Sequence, residues 1–254
     1  MRPGWETDDP GFDPAKEAAV LSALERTVIP APRLVAVDPE GSRAGVPALL
    51  TERLPGRQPT VRQIARPTTL AVLGSMLATI HRVGAGLGGD AALRASVPAY
   101  VPFGDLGAAV IPANTHRPDL WQAALAMAGT EPRSRAPTTL IHRDYHAWNT
   151  LWVANRLTGV VDWTSTSWGP PAADLAHLRV DLVFDVSVEA AVRAREAFAA
   201  AGGDLTNARH HQLRTVFDYI TDMDPAQFDE AAVDRLDAFL DLVMTEPDGR
   251  GPAG

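Results

Sequence analysis

The chain has 254 residues, enough to bury a sizeable core as one large domain or two modest lobes. A formal net charge of −8 argues against a general nucleic-acid binder, which needs a basic face, and leaves room for a cationic small molecule. No cysteine means no disulfide and no thiolate metal site, and neither a signal-like start nor an apolar run of about 18 residues is seen, so a cytoplasmic protein without membrane partners is expected.

In chain order, DPAKEAAVLSALERT predicts a helix with Asp13 as N-cap, Pro14 at the first position and Ala18, Leu21 and Leu24 on one stripe. RLVAVD predicts a strand, DPEGSRAG a turn and VPALLTERL a second strand. After PGRQP the character becomes helical. TTLAVLGSMLATIHRVG is a strong helix expected to stop at Gly84, residues 85–115 form a long irregular segment, and RPDLWQAALAMAG is a further helix. TTLIH, TLWVA and GVVDW are the only later strands expected, the last two joined through NRLTG. Helices near 171–185, 188–201, 206–222 and 226–244 complete an α+β layout. A small α/β piece over 1–55 precedes a larger helical lobe over 56–254, with a linker near Pro55–Pro59.

The chemistry concentrates in TTLIHRDYHAWNTLWVANRLTGVVDW. A hairpin that turns back after ANRLTG brings Asn149 and Asp162 to the same end, beside Asp144. Two oxygen donors meeting there suit Mg²⁺, which takes few protein ligands together with phosphate oxygens, and Asp144 stays free to accept a proton. IHRDYHAWN carries the H-R-D-x-x-x-x-N pattern of the kinase catalytic loop. With GVVDW and GPPAADLAHL after it, and KEAAVLSAL, PAPRLVAVD, PALLTERLPGR and LATIH before it in order, the chain resembles the aminoglycoside phosphotransferase family.

That resemblance implies a protein-kinase-like two-lobe fold with an incomplete small N-terminal lobe and a mostly helical C-terminal lobe. It implies transfer of the γ-phosphoryl of Mg·ATP, or of GTP, to a hydroxyl of a small molecule. Asp144 would be the catalytic base, and Asn149 and Asp162 would hold the metal. Glu17 would pair with a strand lysine or arginine, and Glu52, Arg53 and Leu54 would form the adenine-reading hinge with Leu151 opposite. His142, His146 and Asp174 would support the catalytic loop. Arg143, Ala147 and Trp148 stand where Gly, Pro and Gly are commoner, which bears on loop shape; Arg143 is read as structural. The family's Gly-rich hairpin and its basic strand residue are not found before Glu17, and Lys16, the sole lysine, lies on the helix itself. The native polypeptide is therefore expected to start upstream, and the chain as given to bind ATP weakly and expose a bare sheet edge.

Other readings stay open. A non-catalytic binding protein could keep the same fold. A zinc hydrolase could use His142, Asp144 and His146, although His81, His116 and His177 offer no further ligand at a recognisable spacing. GAGLGG, from Gly84, matches a nucleotide-loop pattern but follows a helix rather than a strand, and reads as a helix cap. His210 and His211 read as solvent-facing, Trp148, Trp152, Trp163 and Trp168 as core or pocket wall. The acidic stretch DYITDMDPAQFDE reads as a solvated helix end or the wall of a cationic pocket.

Overall fold

The computed structural model describes residues 13–132, 135–222 and 228–247. Helix α1 (Pro14–Leu24) begins where the Asp13 carboxylate accepts the Ala15 and Lys16 N–H groups at 3.0 Å, and it buries Ala18, Val20, Leu21 and Leu24. It packs on strand β1 (Leu34–Asp38), which pairs antiparallel with β2 (Ala48–Thr51). β2 is shorter than VPALLTERL suggests, so Glu52 to Leu54 lie beyond its end. Among the described residues this sheet has two strands, and Val35 and Leu50 are 52% and 58% exposed.

Pro55–Pro59 is more than a linker. Arg57 exchanges backbone hydrogen bonds with Trp152 at 2.8 and 3.1 Å, so this segment adds itself to the edge of the polar hairpin. A short helix α2 (Val61–Ile64) leads into α3 (Pro67–Gly86). Leu70, Leu73, Leu77, Ile80 and His81 recur at helical spacing and are buried. Pro67–Gly89 is long and apolar enough to cross a membrane by length and composition, but its buried face here meets β3 (Thr139–Ile141) and α7 (Val188–Ala200). Gly84 does not end α3. A Cβ there would come within 2.5 Å of the Leu140 carbonyl oxygen, so this glycine lets the helix lie against β3. Beyond it, GAGLGG becomes a 3₁₀ turn at Leu87–Gly89.

Within 85–115 the chain forms one further α-helix among the described residues, α4 (Ala91–Ser96), capped by Asp90 and packed on α1. α5 (Pro118–Ala128) buries Trp121 against Phe217 of α8 (Ala208–Asp222). The polar hairpin is β4 (Thr150–Val153) and β5 (Arg156–Val160); it turns at Ala154, φ +53, and Asn155, so most of NRLTG is strand rather than loop. A strand absent from the sequence reading, β6 (Ser167–Gly169), pairs with β3. α6 (Pro171–Asp185) is the buried centre of the helical lobe, flanked by α7, α8 and α9 (Glu230–Thr245). Trp152, Trp163 and Trp168 are core residues.

His211 corrects the expectation of solvent exposure. It is buried edge-on to Tyr100 at 5.9 Å, and burial pushes its pKa down to about 3. In the acidic stretch, Asp218 is buried and accepts from Gly104 N–H and Arg214 Nε at 3.0 and 2.9 Å. Residues 223–227 of that stretch lie outside the described residues.

Candidate active site

The chain leaves buried β3 at His142 and enters the loop that carries Asp144. Asp174, in the first turn of α6, holds this loop from beneath. Its fully buried carboxylate accepts from His142 N–H (2.8 Å), Arg143 N–H (2.6 Å) and His81 Nε2 (2.9 Å). Burial would raise the Asp174 pKa, but the His81 partner and the loop donors outweigh it and hold the group ionised. His142 donates from Nε2 to the Val161 carbonyl at 3.0 Å and lies between the Tyr145 and Trp163 rings. It is a core residue that ties β3 to the hairpin, and burial depresses its pKa.

Arg143 adopts φ +76, a left-handed backbone that suits glycine. Its guanidinium lies 3.6 Å from the Phe103 ring centre and 4.4 Å from that of Tyr100. Trp148 donates to Asp185 at 2.6 Å, and its carbonyl accepts from Gln58 Nε2 at 2.7 Å, so the loop is also clamped to α6 and to the linker.

Asn149 donates from Nδ2 to the Asp144 carbonyl and to Asp144 Oδ2, each at 2.9 Å, which commits its nitrogen and leaves its amide oxygen able to serve as a metal donor. Val161 N–H donates to the Asn149 carbonyl at 2.9 Å, so Asn149 and Asp162 do meet at one end of the hairpin. Asp162 is exposed, at φ +66, and accepts from the Thr164 hydroxyl at 2.6 Å. Glu17 reaches this end from α1. Its pKa is raised by burial and then by the Asp162 charge, and it accepts a hydrogen bond from the Trp163 backbone. The Glu17 and Asp162 carboxylates at this end, with the Asn149 amide oxygen on the same hairpin, are donors of the kind a hard divalent cation takes. The strand lysine or arginine expected beside Glu17 is not among its main charged neighbours, Asp162 and Lys16.

The expected hinge residues divide. Glu52 accepts from Arg33 on the surface and its N–H donates to the Arg33 carbonyl, and Arg53 is exposed. Leu54 and Leu151 instead face Gly159: a Cβ there would lie 2.8 Å from Leu54 Cδ1 and 3.2 Å from Leu151 Cδ1. The missing side chain lets Leu54 and Leu151 close directly over the β5 backbone.

On its other side Asp144 meets His146, read in the sequence as loop support, together with His177 and Asp181, to which the sequence reading gave no role. His177 Nε2 on α6 is 2.9 Å from Asp144 Oδ1, and His146 Nε2 is 3.6 Å from it. The expectation that His177 joins no grouping is therefore wrong, and His142 is not the partner of Asp144. Burial opposes ionisation of Asp144, but the two imidazoles outweigh it and hold its pKa far below the usual carboxylate range. Burial likewise opposes the His146 imidazolium, but Asp144 and Asp181 raise its pKa. Asp181 lies 3.4 Å from His177 Nε2, its pKa raised by burial, and the Tyr219 hydroxyl is 3.1 Å from the same nitrogen. Phe184 stacks on Tyr219, and Phe103 and Phe228 stand nearby. Asp174, His177, Asp181 and Asp185 recur at helical spacing on a helix whose only other charged residue is Arg179, a stripe that could have pointed to this wall in the sequence.

A small sheet joined to a helical lobe, with an Asp loop anchored by a buried carboxylate and a polar hairpin after it, is the arrangement of a kinase-like phosphotransferase. Residues 13–214 match the family described as the phosphotransferase enzyme family, and the chain belongs to it: it is a phosphotransferase acting on a hydroxyl group. No curated protein sequence matches the chain. Among solved structures it is similar to wild-type aminoglycoside 2'-phosphotransferase-IIIa in its GDP complex, with TM-score 0.60, 16% identity and 90% of this chain covered by 80% of that one. It is also similar to an amicoumacin kinase in complex with AMP-PNP and Ca²⁺, with TM-score 0.58, 12% identity and coverage of 90% and 76%. A macrolide 2'-phosphotransferase from Brachybacterium faecium gives TM-score 0.56, 22% identity and coverage of 93% and 81%. These likenesses show the protein-kinase-like fold.

Proposed function

We propose that the protein moves the γ-phosphoryl of ATP, or of GTP, to a hydroxyl of a small cationic molecule, with Mg²⁺ as the metal. The observation that carries this reading is the grouping of Asp144, Asn149 and Asp162 at one hairpin end. The amide oxygen of Asn149 and the Asp162 carboxylate would hold Mg²⁺, which supplies neutralisation of phosphate charge. Similar structures that contain AMP-PNP with Ca²⁺, and GDP, support a nucleotide and a divalent ion.

Asp144 orients the acceptor hydroxyl and takes its proton as the oxygen–phosphorus bond forms. Its two imidazole partners keep it anionic at any working pH, so it is a weak base in a fixed place. That suits phosphoryl transfer, where positioning matters more than early deprotonation. Asp181 and Asp185, with the Phe103, Phe184 and Tyr219 rings, form an acidic and aromatic wall beside the base. Such a wall favours an ammonium-bearing acceptor.

Asp144→Asn keeps the shape and the Asn149 contact but cannot take a proton, so turnover should fall by roughly 10²–10⁴ while nucleotide binding changes little. Steady-state phosphate transfer and nucleotide titration of the two proteins provide the comparison. Unchanged turnover in the Asn variant removes Asp144 from the chemistry. Nucleotide binding without turnover in either protein would favour the non-catalytic reading.

A further inference from the structure

The His146–Asp144–His177 cluster has a geometry that a hydrogen-bonded base does not need. One ligand-capable atom from each residue lies within 4.8 Å of the others. The separations are 2.9 Å between His177 Nε2 and Asp144 Oδ1, 3.6 Å between His146 Nε2 and Asp144 Oδ1, and 3.4 Å between His177 Nε2 and Asp181 Oδ2. A four-coordinate divalent ion with bonds of about 2.0–2.1 Å places neighbouring ligand atoms about 3.0–3.5 Å apart, depending on angle. The observed distances bracket that range.

A second observation is independent of those distances. Asp181 Oδ2 is buried without a hydrogen bond of its own, although the carboxylate interacts with the Tyr219 hydroxyl and this oxygen lies 3.4 Å from His177 Nε2. An unsatisfied buried carboxylate oxygen is costly, and a cation between it and the imidazoles would satisfy it. The Tyr219 hydroxyl stands beside the cluster, 3.1 Å from His177 Nε2 and 3.4 Å from Nδ1.

The donor set selects the ion. Two imidazoles and one carboxylate, with a second carboxylate beside them, suit Zn²⁺, Co²⁺ or Ni²⁺, whereas Mg²⁺ prefers oxygen donors and keeps its waters. We propose that Asp144, His146 and His177 form a three-ligand site for a borderline divalent transition metal of the Zn²⁺ class, with the Asp181 charge beside it, distinct from the Asn149–Asp162 pair, whose occupation withdraws Asp144 from substrate. The metal site stands on the geometry alone; its inhibitory effect rests on Asp144 serving as the base in the proposed phosphotransfer.

The test titrates the full chain, free of nucleotide, with Co²⁺ and then with Zn²⁺. One Co²⁺ per chain is expected, with the intense visible absorption of low-coordinate cobalt, displaced by Zn²⁺ and not by excess Mg²⁺. His146→Gln and His177→Gln should each weaken Co²⁺ binding by about 100-fold or more, the scale of losing a shell member. Asp181→Asn, which keeps the packing, should weaken it to a smaller extent, and circular dichroism melts show whether each variant folds. A single unfolded histidine variant leaves the decision to the other histidine and to Asp181→Asn. No stoichiometric cobalt spectrum with the parent chain, or equal Co²⁺ affinity in the folded variants, overturns the site. With phosphotransfer assayed in parallel, Zn²⁺ should inhibit over the same concentrations at which it displaces Co²⁺. Zinc binding without inhibition of measurable turnover overturns the inhibitory role. Metal binding by a chain that transfers no phosphate leaves the site standing and removes the proposed function instead.

Discussion

Asp162 and Asn149 stand at the same hairpin end but bring different charge. Asp162 carries the negative charge that raises the Glu17 pKa, whereas Asn149 offers one neutral oxygen. Asp162→Ala should therefore weaken Mg·ATP binding more than Asn149→Ala, and calorimetric titration at fixed Mg²⁺ ranks the two. Parent-like binding in both variants would place the metal elsewhere. Arg143 poses a contest of two terms. Its left-handed backbone costs about 1 kcal/mol, which glycine would recover. Its guanidinium, buried over two rings, contributes about 0.5–2 kcal/mol at each. The packing should win, so Arg143→Gly is expected to lose roughly 1–2 kcal/mol in urea unfolding; a more stable variant would show that strain dominates. The positions of Asp144, Asn149, Asp162 and Asp174 were legible because one short motif and one helix start carry them. His177, Asp181 and Tyr219 were not, because they reach Asp144 through the packing of α6 and α8 rather than through proximity in the chain.

At the scale of elements, the long helices were readable from apolar spacing, and the cap at Asp13 from a side chain that accepts the first free N–H groups, whereas α4 and its Asp90 cap fell in a segment read as irregular. β6 was missed because three residues carry no period, and it exists through its pairing with β3. Glycines in α3 were misread for a related reason: a glycine looks the same in sequence whether it stops a helix or lets another chain approach. Two of them separate these roles by experiment. A Cβ at Gly74 would lie 2.4 Å from the Ala194 carbonyl oxygen on α7 and 2.8 Å from Phe198 N, both backbone atoms. A Cβ at Gly86 would meet nothing within 4 Å. Alanine gains up to about 1 kcal/mol of helix propensity at either position, against about 1–3 kcal/mol for overpacking at Gly74 alone. Gly74→Ala should lower stability by roughly 1–2 kcal/mol and Gly86→Ala should be neutral or stabilising. Equal melting temperatures for the two variants would mean that α3 and α7 are not held at this contact.

Over the whole molecule, the division into a small α/β piece and a helical lobe was legible from the change of pattern after PGRQP, but not what fastens the far end of the helical lobe. In sequence, Arg179, Arg195 and Arg209 look like solvated charges on three separate helices. In the fold they converge on Glu246, which caps the end of α9. Arg179 is fully buried and holds the Glu246 carboxylate with two bonds of 2.8 Å, Arg195 Nε approaches it at 3.4 Å, and Arg209 donates to the Glu246 carbonyl. α6, α7 and α8 are thereby tied to one residue at the end of α9, close to the last described position. Exposed ion pairs contribute little, but removing one partner of a buried pair leaves an uncompensated charge and costs about 3–5 kcal/mol. Glu246→Ala is therefore expected to lower Tm by roughly 10 °C for a chain of this size. The double variant Arg179→Met with Glu246→Ala should recover much of that loss, because methionine fills the buried site beside Phe239 without a charge to satisfy. If Glu246→Ala melts with the parent, the arginines find solvent or other partners and the clamp does not hold the lobe; if the double variant is no better than the single, the loss comes from packing rather than from a stranded charge.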